Sequence, residues 1–337
     1  MNPRDILREM RGHLAELGNG AKERQVRLVS AALRRELRLL AAADAGTWTA
    51  GSRGAAVAQL QAGLLQLTRD MGQALQADLS LAARRSHRDA VNFLRAADES
   101  YLGAARPLRF EAARFVDERA AVAGQARIAN YPRSFARYGV DLTRAVESAA
   151  AQAALLGRPY HEAVDIVGAQ LRRQAHLKDW QIRMVVETEV SAAYNQMQLD
   201  ALLEEDVDPR DPMRKRLLAV FDSKTGRDSV LVHMQERGVR EPFYDSHNGR
   251  FYMAPPNRPH DREVMHGWRA SYGDRAAELA EPSPATVFEV ELAAPPRARP
   301  ARRAKAARRP NPARLRRRYP EKEARCSLAA LLRATQP

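Results

Sequence analysis

Histidines and aspartates are concentrated in one part of the chain, between residues 222 and 266. Half of the eight histidines lie there beside four aspartates: His233, His247, His260 and His266 with Asp222, Asp228, Asp245 and Asp261. Imidazole and carboxylate groups bind zinc and related ions, and a bound metal can activate water to hydrolyse a phosphodiester. His260 and His266 are six residues apart, whereas the helical zinc motif places its histidines at i and i+4. We therefore favour a structural interpretation, in which a carboxylate holds a histidine and fixes one loop on another, and we expect no catalytic residue, no metal and no cofactor.

A second group of polar residues lies on a predicted helix and consists of Glu187, Thr188, Glu189, Tyr194 and Asn195. Glu187 and Tyr194 are seven residues apart and so share one helix face over two turns. Two carboxylates near an amide could bind a cation or serve as acid and base. We favour a buried polar latch, in which a carboxylate accepts hydrogen bonds from an arginine or from backbone amides and fixes how the following β part docks.

The segment from Asp222 to Thr225 directly follows a short apolar run. Its short polar side chains and the glycine at 226 are typical of a turn, and Asp222 or Thr225 could cap the next helix. A loop that faces a ligand at the end of a strand is the alternative.

Three prolines occur within five residues, at Pro255, Pro256 and 259. They predict a stiff, extended segment that presents Arg258, His260 and Arg262 and costs little entropy to order. Either a docking edge or a rigid loop that closes the domain would have this composition.

These signatures follow one another in a fixed order between residues 185 and 269, about a quarter of the chain. The members are Glu187-Thr188-Glu189 with Ala193-Tyr194-Asn195, then Asp222 with Thr225, then His233 with Gly238, and last Pro255-Pro256 with His260 and Arg262. Their order and spacing resemble the Mu F-like minor head protein family of tailed phages. The pattern of that family runs T-E…A-Y-N on a helix, D-x-x-T…H-x-x-x-x-G, and P-P-x-H/R-x-x-C-R-C.

The chain departs from that pattern at the cysteines. Asp261 and Glu263 stand where many members have the two cysteines of C-R-C, and only Arg262 is kept. Asp228 and Ser229 stand where a further cysteine is often found. A metal or a disulfide held by those cysteines is therefore not expected here, and the resemblance bears on the fold and the virion role more than on chemistry.

The resemblance implies a role in head morphogenesis and in DNA packaging or ejection, by a few copies bound near the portal inside the procapsid. The implied partners are the portal protein and, as further candidates, the major capsid or scaffolding protein. The implied location is the capsid interior, with the host cytoplasm during assembly, and no enzymatic activity is implied. A metal-dependent nuclease or other hydrolase that uses the His/Asp cluster at 222–266 is the alternative.

The positive charge of the chain is concentrated at its C-terminal end. The net charge is +14 over 337 residues, and residues 295–337 hold fourteen Lys and Arg against two acids. Such a segment is typical of an arm that binds the phosphates of double-stranded DNA without sequence preference. The expected contacts are Arg302, Arg303, Lys305, Arg308, Arg309, Arg314, Arg316, Arg317 and Arg318. A solubilising tail is the alternative.

Composition narrows the class of protein. The single cysteine, Cys326, excludes a disulfide framework and a four-cysteine zinc site. No run approaches the ~18 apolar residues of a membrane span, so a soluble protein with no membrane partner is expected.

The coarse pattern predicts an α+β protein. Residues 1–133 form a helical region, and 134–292 form the Mu F-like module, with helices in 134–205 and an α+β part in 213–292. Residues 293–337 form a basic Arg/Pro/Ala tail that is mostly disordered.

The local patterns predict where the elements begin and end. Glycines at 18–20 break the first helical run, residues 47–54 form a loop, and separate helices cover 160–175 and 177–203. The expected strands are 217–221, 251–253 and 286–292, with a helical turn at 230–234.

Overall fold

Helices dominate the computed structural model, which describes residues 2–42, 50–128, 131–220, 227–259 and 261–273. The helices are α1 (Pro3–Ala42), α2 (Ala50–Leu102), α3 (Ala113–Ile128), α4 (Tyr131–Leu155), α5 (Tyr160–Glu205) and α6 (Arg227–Val232), with a 3-10 turn at Arg109–Glu111. The strands are β1 (Met213–Leu218), β2 (Glu236–Gly238), β3 (Phe243–Asp245), β4 (Arg250–Tyr252) and β5 (Val264–Arg269). This arrangement confirms the predicted α+β class with a long helical N-terminal half. Among the described residues, no helix is both long and apolar enough to cross a membrane.

The core of the helical part lies between α1, α2 and α5, which pack on one another, and α4 packs on α2 and α5. Apolar residues recur along α2 at intervals of three and four, so they line one face of the helix. The buried members of this stripe are Leu60, Leu64, Leu67, Met71, Leu75 and Leu79. Burying one such side chain contributes about 1.5–3 kcal/mol, so packing rather than helix propensity stabilises these long helices.

Three predicted interruptions are wrong. α1 continues through the glycines at 18–20, α2 begins at residue 50 inside the predicted loop, and α5 continues through residue 176. A glycine inside a helix costs only about 1 kcal/mol relative to alanine, which is less than the burial of one flanking leucine contributes. In α5 the apolar pattern shifts because the helix changes partners along its length, from α1 and α4 to α2 and β5.

Strand β1 lies at the centre of a three-stranded antiparallel sheet in the order β2-β1-β5. All six residues of β5 are buried, and β5 lies against α5. The approach is closest at Gly267, where a Cβ atom would lie 1.9 Å from a methyl carbon of Leu202. A side chain at this position would force Leu202 to shift, and the glycine lets the strand reach the helix. Strands β3 and β4 form a separate antiparallel pair.

The strand predictions were incomplete. β1 covers 217–218 of the predicted strand but begins four residues earlier, and β4 overlaps the prediction at 251–253. β2, β3 and β5 were missed, and residues 286–292 lie outside the described residues. The sequence of β5, VMHGWR, shows no alternation because both of its faces are covered.

Contacts group the chain into two units, and the predicted boundary between residues 133 and 134 stays a prediction. Residues Met1–Pro282 group into one compact unit by their contacts, because α5 packs along α1 and α2. A second unit covers Ser283–Pro337 and lies outside the described residues, as does the predicted tail boundary at 293.

Candidate functional site

The side-chain amide of Asn195 joins α5 to β5. Its Nδ2 donates to the Glu263 carbonyl oxygen at 3.0 Å, and its Oδ1 accepts from the Met265 amide at 2.8 Å. Nδ2 also donates to the Ser191 carbonyl oxygen at 3.0 Å, within the helix. Asn195 is fully buried. The Asn195 side chain therefore satisfies one backbone acceptor and one backbone donor at the start of β5. The backbone of α5 could not do so, because its own amides and carbonyls are bonded within the helix.

The neighbouring residue, Tyr194, bonds to different elements, on the side of α1 and α2. Its hydroxyl donates to Asp89 Oδ2, and the ring nitrogen Nδ1 of His13 lies 3.1 Å from the same carboxylate. Ser86 Oγ donates to the Tyr194 carbonyl at 2.6 Å. Burial, and next the charge of Asp89, raise the pKa of Tyr194 well above its ordinary value, so the hydroxyl keeps its proton and remains a donor. The two adjacent residues thus tie the sheet and the N-terminal helices to one turn of α5.

The far end of β5 is held by a buried ionic cluster around Arg269. Its Nε lies 3.1 Å from Asp98 Oδ1, and its Nη2 lies 2.8 Å from Glu205 Oε1. The Tyr272 hydroxyl donates to Asp98 at 2.7 Å, and Glu205 Oε2 accepts from the Arg109 amide at 2.9 Å. Sequence analysis missed this cluster. A charged residue that follows a mostly apolar stretch is the one sequence signal that indicates such a cluster. Asp98 is an example, because it follows the mostly apolar residues 91–97.

The carboxylates predicted to form the latch lie earlier on α5. Glu187 is 3.3 Å from Lys22 Nζ of α1, and Thr188 Oγ1 donates to the Met184 carbonyl at 2.8 Å. Glu189 is half-buried on the same helix. The Asn195 amide ties α5 to the β part, a role that the prediction gave to a carboxylate.

Two buried aspartates organise the segment around the prolines. Asp261 accepts from the Asn257 amide at 3.0 Å and from Arg258 Nε at 2.7 Å, and Asp245 accepts from Asn257 Nδ2 at 2.8 Å. Arg258 Nη2 donates to Ser229 Oγ at 2.8 Å. The positions that carry cysteines in the resembled family therefore hold a hydrogen-bonded network in this chain.

Glu263, buried beside these aspartates, has an unusual pKa. Burial is the largest cause, and the charge of Asp261 adds to it; together they raise the pKa to about 7, against the opposing effects of Ser229 and Arg258. The folded protein thus holds this proton more tightly than the unfolded chain, whose glutamate has the ordinary value of 4.5. The resulting stabilisation is complete below pH 4.5 and is lost as the pH rises through about 7.

The described histidines have separate structural partners. His233 Nδ1 accepts from the Ala219 amide at 3.1 Å, just beyond β1. The ring of His266 is fully buried and meets the ring of Phe93 edge-on, with centroids 5.1 Å apart. Burial, and next the charge of Arg216, lower the pKa of His266 to about 3, so this ring is neutral. Within the described ranges, no three His, Cys, Asp or Glu side chains are placed to hold a metal ion.

The chain is attached to the sheet at residue 253, two residues before the proline segment (residues 255–259) begins. Lys215 Nζ of β1 donates to the Met253 carbonyl at 2.8 Å and lies 4.8 Å from the centroid of the Phe243 ring. Burial lowers the pKa of Lys215 to about 8. The peptide bond between Pro255 and Pro256 is cis.

The remaining motif residues lie near these ties. Gly238 is the last residue of β2, and its amide donates to Glu241 Oε2 at 3.1 Å. Arg262 is half-buried and lines a cavity of about 400 Å³ together with Arg11, Lys22 and the motif carboxylate Glu187.

Some predicted site residues lie outside the described residues: Asp222, Thr225, His260 and the basic residues Arg302, Arg303, Lys305, Arg308, Arg309, Arg314, Arg316, Arg317 and Arg318. Among the described motif residues, Glu187, Tyr194 and Asn195 tie α5 to α1, α2 and β5. Comparisons of the chain with protein-family models, with curated proteins and with solved structures gave no match.

Proposed function

We propose that this protein is a minor head protein of a tailed phage or prophage, acting in head morphogenesis at the portal inside the procapsid. The observation that carries the proposal is the junction at Tyr194 and Asn195. Of these adjacent motif residues, Tyr194 bonds to α2 and Asn195 bonds to the chain at β5, so one turn of α5 connects the helical body to the sheet. Motif residues that form such a junction have a structural role in this chain, which suits an assembly protein better than an enzyme.

The long helices add a second line of support. α1, α2 and α5 contain 40, 53 and 46 residues. At 1.5 Å per residue they extend over roughly 60, 80 and 70 Å. Helices of this length, packed side by side, form a stiff body that can bridge a portal and the packaged DNA.

The basic C-terminal segment is proposed to bind the packaged DNA. Residues 295–337 carry fourteen Lys and Arg against two acids, so the segment holds most of the net charge of +14. A protein that neutralises 6–10 phosphates loses about 10³–10⁵ in affinity between 50 and 200 mM salt. Deletion of residues 295–337 should therefore remove a strongly salt-dependent affinity for duplex DNA. Equal affinity after the deletion would overturn the assignment to this segment.

A metal-dependent nuclease or other hydrolase is the competing proposal, and it rests on the His/Asp cluster at 222–266. It predicts zinc or manganese in the purified protein, and loss of hydrolysis in His233→Ala and His260→Ala. Metal analysis of the purified chain and a nuclease assay of both variants would decide between the two proposals.

The direct test of the portal assignment is co-purification with the portal protein of the same phage. Tagged full-length protein and the 295–337 deletion should be compared at 50 mM and 500 mM salt. A complex that resists salt and survives the deletion would place the contact in the folded body, as proposed. Failure of both proteins to retain the portal at either salt concentration would refute the proposal.

A further inference from the structure

A groove with an apolar floor runs between α1 and α5. Its cavity volume is about 330 Å³, at the lower end of the roughly 300–1,000 Å³ of ligand pockets. Its floor consists of aliphatic side chains from both helices, namely Val26, Val29, Leu33, Leu37 and Ile182. The groove therefore offers apolar contacts along two helices that lie side by side. An amphipathic helix of a partner binds in a groove of this kind.

The rim of this groove is positively charged. Arg34 of α1 and Arg172 of α5 line it, with His176 one turn further along α5. Among the described residues that line the groove, the one carboxylate is Asp179, which already accepts from Arg183 Nε at 2.8 Å. An apolar floor with a cationic rim is complementary to a helix that has an apolar face and acidic flanks.

The same basic character continues along α1. Arg34 also lines a shallower depression with Arg35, Arg38 and Leu39, of which Leu39 is half exposed. The two depressions share Arg34, so the surface extends over the last third of α1. Its length suits several turns of a bound helix.

One large aromatic side chain stands exposed beside the rim. Trp180 lies one helical turn after the rim residue His176 on α5, and its exposed fraction is 57%. Trp and Arg are among the residue types most enriched at the centres of protein interfaces. Trp180 therefore adds an exposed apolar group to the edge of the apolar groove.

We infer that this surface, formed by the groove and by Trp180, binds an acidic amphipathic helix of the portal protein. The inference rests on the proposed function, because that function supplies the portal as the partner. The acidic face of the incoming helix meets Arg34 and Arg172, and its apolar face enters the groove and covers Trp180. The C-terminal tail is left to bind DNA.

The observations favour a protein helix over nucleic acid at this surface. Phosphates would meet the arginines but would gain nothing from an aliphatic floor. Stacking of a base on Trp180 would use the aromatic ring but would leave the groove empty. The combination of floor, rim and exposed side chain is used in full only by an amphipathic helix.

The test measures the affinity of full-length protein for the purified portal at 150 mM salt. Trp180→Ala and Arg172→Glu should each weaken binding about tenfold or more. The matched controls are Leu155→Ala, at an apolar residue that is 88% exposed on α4, and Arg69→Glu, at an exposed arginine of α2. Both controls should stay within about twofold of the wild type, and circular dichroism should show all four variants folded.

The outcomes separate the inference from the proposed function. Wild-type binding with no loss in Trp180→Ala and Arg172→Glu overturns the inference and leaves the function standing.

If the wild type does not bind the portal, the proposed function fails, and binding of a synthetic peptide then tests the groove. The probe is an amphipathic helix with leucines on one face and glutamates on the other, compared with its lysine counterpart. The glutamate peptide should bind the wild type more tightly than Trp180→Ala; equal binding, or competition by single-stranded DNA, overturns the inference.

Discussion

Replacing Asn195 with alanine tests how the sheet is attached to the helical body. The substitution removes two hydrogen bonds. In one, Asn195 donates to the Glu263 carbonyl, and in the other, Asn195 accepts from the Met265 amide. Both backbone groups are then left buried without their described partner, which costs about 1–3 kcal/mol each. We expect the free energy of unfolding to fall by about 3–5 kcal/mol once the small cavity is added.

The assay is urea unfolding followed by far-ultraviolet circular dichroism, because the helices dominate that signal. Hydrogen exchange by mass spectrometry adds a local readout, since amides of β5 should exchange faster in the variant. The matched control is Gln196→Ala, which removes a bond of 2.9 Å to Asp200 on the same helix and should cost under ~1 kcal/mol. If Asn195→Ala costs no more than this control, the amide does not hold the strand and the reasoning is refuted.

Three further substitutions test other parts of the molecule. Glu263→Gln should raise the free energy of unfolding at pH 8 and change it little at pH 4.5, because only the ionised carboxyl is disfavoured by burial. Urea titrations at the two pH values measure this, and an equal effect at both would contradict it. Gly267→Ala should destabilise the protein by about 1–3 kcal/mol, since the added Cβ would lie 1.9 Å from a Leu202 methyl group. The double variant with Leu202→Ala should show positive coupling in a thermal-unfolding cycle, and strict additivity would exclude the clash. Arg269→Met should cost about 3–5 kcal/mol, because two buried carboxylates lose their counter-charge; a loss under 1 kcal/mol would show that the cluster contributes little.

The long helices could be predicted from the sequence because their signal is local. Apolar residues at intervals of three and four fix which face of α2 is buried, whatever it packs against. The glycines at 18–20 misled the prediction because helix propensity is also local, while the packing that outweighs it comes from α2 and α5. The class of fold was therefore predictable, and the continuity of the helices was not.

The ties between elements could not be predicted in the same way, because their partners are distant in sequence. Asp98 and Arg269 are 171 residues apart, and nothing near either residue identifies the other. Asn195 was singled out by its motif, but its role depends on the backbone of a strand 70 residues later. Strand β5 was missed for a related reason, since a strand covered on both faces lacks the alternation that identifies strands.

The central claim, a structural role in the phage head, is tested most directly by mass spectrometry of purified particles. Particles induced from the strain that carries this gene should be freed of soluble protein by gradient centrifugation and then quantified against the portal protein. The proposal predicts peptides of this chain in the particles, at a few copies for each portal. Absence of the chain from particles, despite its expression in the same cells, would contradict the proposal.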